Sequence, residues 1–126
     1  MRNPRPLITP ICLLAVLATA LPSHTAQAIS DPQYQSIRRL GELNAIALDC
    51  GHLEQVRQIK RALVNNLPKQ RQLGEEFERI THQHFLTKLQ QGGECPEGAH
   101  LARRVDEAIG QLEQAFHDSA PGGPGE

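Results

Sequence analysis

Cys50 and His52 stand two positions apart in "ALDCGHLEQ", and a further cysteine, Cys95, follows 45 residues later in "GGECPEG". Cysteine and histidine so close together raise three chemistries: a metal site, a thiol redox centre, or a disulfide with a histidine beside it. Four other histidines, His82, His84, His100 and His117, accompany them after residue 28, and Cys12 is the third cysteine of the chain.

The N-terminus bears on which chemistry holds. Arg2 and Arg5 precede a mostly apolar run from Leu7 to Leu21, and Ala26-Gln27-Ala28 places small residues at the two positions a signal peptidase reads. Residues 1–28 are therefore expected to be a signal peptide cleaved after Ala28. The run of about 15 residues, interrupted by Thr9 and Pro10, is shorter than the roughly 20 needed to span a bilayer. Stable membrane insertion after cleavage is not expected. Cys12 leaves with that peptide, and the residues before it, "TPI", lack the small side chains of a lipoprotein signal.

Cys50 and Cys95 then remain as an even pair in an oxidising, periplasmic or secreted setting, which reads first as one structural disulfide. No Cys-X-X-Cys motif occurs, so thiol redox catalysis is disfavoured. The alternative is a copper or zinc carrier or sensor that uses His52, His82, His84 and His100. On a helix His82 and His84 lie about 200° apart and cannot chelate one ion. His84 falls on an apolar stripe, where a hydrogen-bonded core role is expected, and His82 should face solvent.

No glycine-rich phosphate loop, Gly-X-Ser-X-Gly elbow or His-Glu-X-X-His motif is present. Glu75, Glu76 and Glu78 sit at a helix start, where carboxylates complement the dipole. The expectation is a protein that is not an enzyme, has no catalytic residues and needs no cofactor. Removal of residues 1–28 takes Arg2 and Arg5, leaving 11 of the 13 basic residues against 14 acidic ones, a formal charge of −3. That balance excludes a general nucleic-acid binder. Arg57, Lys60, Arg61, Lys69 and Arg71 nonetheless cluster, and form a candidate surface for a partner, another periplasmic protein or an anionic lipid.

Four helical patterns must position these groups. Asp31 is a candidate N-cap and Pro32 a first-turn residue for a helix whose apolar positions Tyr34, Ile37, Leu40, Leu43, Ile46 and Ala47 drift around the axis, as in a deeply buried helix. Gly51 stops it. Leu53, Val56, Ile59, Leu63 and Leu67 form one stripe of a second helix, ended by Pro68. A third runs from about Lys69 to Gln91 through Leu73, Phe77, Ile80, Thr81, Phe85 and Leu89. The fourth carries Leu101, Val105, Ala108, Ile109, Leu112, Ala115 and Phe116 at helical spacing. "DSAPGGPGE" has nothing to bury. With few aromatics and no alternating strand pattern, the expected fold is all-α: a compact bundle of three to four antiparallel helices over residues 29–117, stapled by one disulfide, with a disordered tail at 118–126.

The succession "LGELNAIALDC", "LEQVRQIKRAL", "FERITHQHF" and "GGECPEG" resembles a class of small exported two-cysteine helical proteobacterial proteins of unknown function. The resemblance implies an exported helical fold with one disulfide and brings no activity or site. The layout is also similar to that of small acid-stress chaperones of the enteric periplasm. The functional expectation is thus a non-enzymatic periplasmic helical protein, a protein-binding or accessory module, with the metal carrier and a pH-dependent periplasmic chaperone as alternatives.

Overall fold

A computed structural model describes residues 2–4, 6 and 28–118. The segment read as a signal peptide and the tail after Asp118 lie largely outside these residues. The described chain forms four helices: α1 (Asp31–Asp49), α2 (Leu53–Asn66), α3 (Arg71–Gln91) and α4 (Gly98–His117). None of them is long and apolar enough to cross a membrane.

Local chemistry sets the boundaries. The N-cap of α1 is Ser30, one residue before the expected Asp31. Its hydroxyl accepts from the Gln33 amide, and the Gln33 side chain accepts from the Ser30 amide at 2.9 Å, forming a capping box with Pro32 in the first turn. Asp31 instead places a carboxylate at the positive helix end. Ser30→Ala should therefore lower stability by about 1 kcal/mol, read as a shift of the urea midpoint at unchanged slope.

The end of α1 is a Schellman turn. Gly51 takes a φ of 73°, its amide donates to the Leu48 carbonyl at 3.3 Å, and the His52 amide donates to the Ala47 carbonyl at 2.8 Å. Leu67, ahead of Pro68, is extended and ends α2 as expected. Gly92 ends α3 with a φ of 70°.

Consecutive helices alternate in direction, as an antiparallel succession requires. The Gln33 side chain donates to the Ala115 carbonyl at 3.2 Å at one end of the α1/α4 pair, and Cys50 joins Cys95 at the other. The arrangement is not a square bundle, however. α1 is central and touches all three other helices, α2 also meets α4, and α3 lies against α1 alone. The α1/α3 pair is parallel, since Gly41 faces Phe77 and Ile80, Asn44 meets Thr81, and Asp49 meets Lys88.

The drifting pattern of α1 reflects its central place, and Ile37, Leu40, Leu43, Ala45 and Ala47 are fully buried. Burial of each leucine or isoleucine contributes about 1.5–3 kcal/mol. Around them pack Val56, Ile59 and Leu63 of α2, Leu73 and Phe77 of α3, and Leu101, Val105, Ala108 and Leu112 of α4. Tyr34, Leu53 and Leu89, expected on apolar faces, are exposed. Each projects from a side of its helix that no neighbour covers.

Candidate functional site

The C-terminal end of α1 gathers most of the chemically versatile side chains. Cys50 caps the helix, Cys95 lies in the linker between α3 and α4, and their sulfurs form a disulfide. The expected staple thus closes a loop of 45 residues containing α2 and α3. Beside it, the Asp49 carboxylate faces the Lys88 ammonium at 3.7 Å, across the α1/α3 seam.

His52 stands in this corner as a strut. Its Nε2 lies 3.1 Å from the Pro96 carbonyl oxygen, and a β-carbon placed on Gly98 would sit 3.6 Å from the ring. The imidazole thus braces the start of α2 against the start of α4, immediately beyond the disulfide. Sequence spacing gave no hint of that partner, because Pro96 is 44 residues away.

The other histidines do not join it. His84 is half-exposed at the α1/α3 seam, with Nε2 3.7 Å from Glu42 Oε1, rather than buried in the core. The stripe that carries it has only α1 to pack on, so its edges stay wet. His82 is exposed, as expected, and borders a shallow cleft lined by Leu48, Glu78, Thr81 and Phe85. His100 and His117 are exposed at opposite ends of α4. Among the described residues, the only cluster of three or more His, Cys, Asp or Glu ligand atoms is Asp49, Cys50 and Cys95. The carrier based on His52, His82, His84 and His100 has no assembled site here.

The basic cluster is largely paired. Arg57 and Arg61 both reach Glu54, at 3.3 and 3.4 Å, and Arg71 reaches Glu75 at 3.6 Å. Such exposed pairs are worth at most about 1 kcal/mol each. Lys60 and Lys69 have no ion pair among the described residues. Around the α2/α3 turn, Lys69 and Arg71 border an open apolar groove formed by Leu63, Val64 and Leu67. On α3 itself the strongest pair is Arg79 with Glu76, two hydrogen bonds of 2.9 and 2.7 Å. These bonds hold the Glu76 carboxyl below its ordinary range against the opposing effect of burial, with Arg38 of α1 adding to them. A depressed carboxylate contributes stability at neutral pH and loses it as pH falls through its lowered value.

A second surface emerges from the placement of α3. Past Thr81, His82, Phe85, Leu86 and Leu89 follow the i, i+3, i+4, i+7 spacing of one helical face. Leu86 is 42% exposed and Leu89 59%, and Leu48 of α1 adds a further 40% exposed side chain. With neither α2 nor α4 beside it, this half of α3 carries an uncovered apolar stripe.

The described residues form a disulfide-stapled all-α bundle in which the outer face of α3 is uncovered. No protein family, curated protein or solved structure matches the chain.

Proposed function

We propose that the chain is an exported, non-enzymatic helical module that binds another protein through the C-terminal half of α3 together with Leu48. The observation that carries this reading is the apolar stripe of Phe85, Leu86 and Leu89 on a helix with a single neighbour. Exposed apolar side chains grouped on one face mark interaction surfaces more often than those scattered singly. A helix held on one side presents its free side to a groove or to a second helix through anchors at this spacing.

Two sequence features support a periplasmic or secreted setting: the leader pattern of residues 1–28 and the paired cysteines. The basic residues Arg57, Lys60, Arg61, Lys69 and Arg71 are the weaker candidate surface, because three of the five already face a carboxylate.

The test is site-specific photo-crosslinking in the native compartment. A photoreactive residue at position 86 should give one reproducible adduct with a protein of defined mass, and the same group at the exposed position 103 should not. Leu89→Glu should weaken that adduct about tenfold or more, the effect of losing a central apolar anchor, and leave the helical circular dichroism unchanged. No adduct at position 86, or an adduct indifferent to Leu89→Glu, would defeat the proposal.

A further inference from the structure

We propose that, once reduced, Cys50 and Cys95 together with Asp49 form a binding site for a thiophilic divalent cation, with zinc(II) as the representative ion. The proposal is independent of the α3 surface, which takes a different class of partner. Three features of the corner point to a cation.

The first is ligand placement. One carboxylate oxygen of Asp49 and the two sulfur atoms all lie within 4.8 Å of one another. Two thiolates on a tetrahedral zinc ion, each about 2.3 Å from the metal, stand about 3.8 Å apart, with a carboxylate oxygen at about 2.0–2.2 Å from the ion. Reduction frees the two sulfurs to take up that separation. Cys95 can supply that movement. It is exposed, lies outside any helix, and follows Gly92 and Gly93, whose φ values of 70° and 138° are open to glycine.

The second is electrostatic. Asp49 and Cys50 occupy the negative end of the α1 dipole, and the last turn of α1 has no basic residue to offset it. A carboxylate in this position is unfavourable unless a cation meets it. The Lys88 ammonium does so at 3.7 Å, and approaches the linker too, lying 3.5 Å from where a β-carbon on Gly93 would be. Lys88 is thus the resident counter-charge and the competitor of an incoming metal.

The third is that oxidation state controls the site. In the disulfide both sulfurs are poor ligands, and the thiolate is the form that binds metal. A dithiol reductant passes two electrons and two protons to the Cys50–Cys95 bond, which breaks to two thiols while the reductant closes to its own disulfide. Zinc then displaces both protons and takes two thiolates, the Asp49 carboxylate and a water. Such a site carries three formal negative charges against the two of the ion. Because zinc binds only the reduced form, it pulls the redox equilibrium toward the dithiol.

Zinc titration of the purified chain against a chromophoric chelator tests this, before and after treatment with a non-chelating phosphine. The reduced protein should take one zinc with a Kd below about 1 µM, and the oxidised protein none tighter than about 10 µM. Asp49→Asn, at a half-exposed position that carries no core packing, should weaken binding about tenfold or more. Lys88→Met should tighten it severalfold. With free zinc at about a hundredfold over Kd, the dithiol should be favoured about a hundredfold more than without metal, an upward shift of about 59 mV in reduction potential. Binding by the reduced wild type weaker than about 10 µM overturns the proposal. So does equal binding by Asp49→Asn, or zinc held only by a chain whose circular dichroism shows the helices lost.

Discussion

Replacement of both Cys50 and Cys95 by serine is expected to lower the free energy of unfolding by about 4 kcal/mol. Closing a loop of 45 residues removes roughly 13 cal/mol/K from the entropy of the unfolded chain, which gives that figure at room temperature. A domain of this size has a total stability of about 5–13 kcal/mol, so the variant retains between a small fraction and two thirds of it. The loss should not be uniform. The bridge anchors the linker that follows α3, and α3 has no neighbour but α1. Without it, the far half of α3 is held by the half-exposed His84–Glu42 pair, the single partly buried Lys88–Asp49 pair and the half-buried Phe85. Native-state hydrogen exchange should therefore show residues 82–91 opening well before α2 and α4. Guanidinium unfolding of the serine double variant beside the oxidised wild type gives the overall number. A loss under about 1 kcal/mol would mean that the unfolded chain is already held compact, or that the native bridge is strained.

The helices were readable where one face alone is buried. Val56, Ile59 and Leu63 on α2, and Leu101, Val105, Ala108 and Leu112 on α4, each trace a single stripe because each helix has its neighbours on one side. α1 was readable for a different reason: its apolar positions drift around the axis, and it is the helix that touches all three others. α3 was misleading. Its stripe continues through Phe85 to Leu89 as if covered throughout, but periodicity records which residues share a face and not whether anything lies on it. The disulfide followed from cysteine parity, whereas its surroundings did not, because Lys88 is brought to Asp49, and Pro96 to His52, only by the packing of α3 and α4. Gly41 and Asn44 were silent for a related reason. In mid-helix a glycine or an asparagine reads only as a loss of propensity, and their purpose appears when a second helix is laid against them.

That purpose leads to an effect nearly as large as loss of the disulfide. Gly41→Val should destabilise the protein by about 3 kcal/mol, at the upper end of what overpacking costs. A β-carbon at position 41 would lie 2.8 Å from Ile80 Cγ2, 3.0 Å from Ile80 Cβ and 3.3 Å from the Phe77 carbonyl oxygen. Ile80 is 2% exposed and has nowhere to turn, and the Phe77 oxygen belongs to the α3 backbone, so the helices themselves must part. Parting them stretches a short polar chain across the seam: the Asn44 amide donates to Thr81 Oγ1 at 3.3 Å, and that hydroxyl donates to the Gly41 carbonyl at 3.3 Å. Asn44 Oδ1 is buried without a partner, so this seam already carries one unsatisfied acceptor and tolerates the loss of a donor poorly. Gly41→Ala sets two effects against each other, a gain of about 1 kcal/mol in helix propensity and the collision with Ile80. The collision should win, for a net loss of about 1 kcal/mol, and combination with Ile80→Ala should show a favourable coupling of about 0.5 kcal/mol or more. If Gly41→Ala instead raises the urea midpoint, α1 and α3 do not approach as closely as the Gly41–Ile80 contact requires, and the parallel pairing of the two helices loses its steric basis.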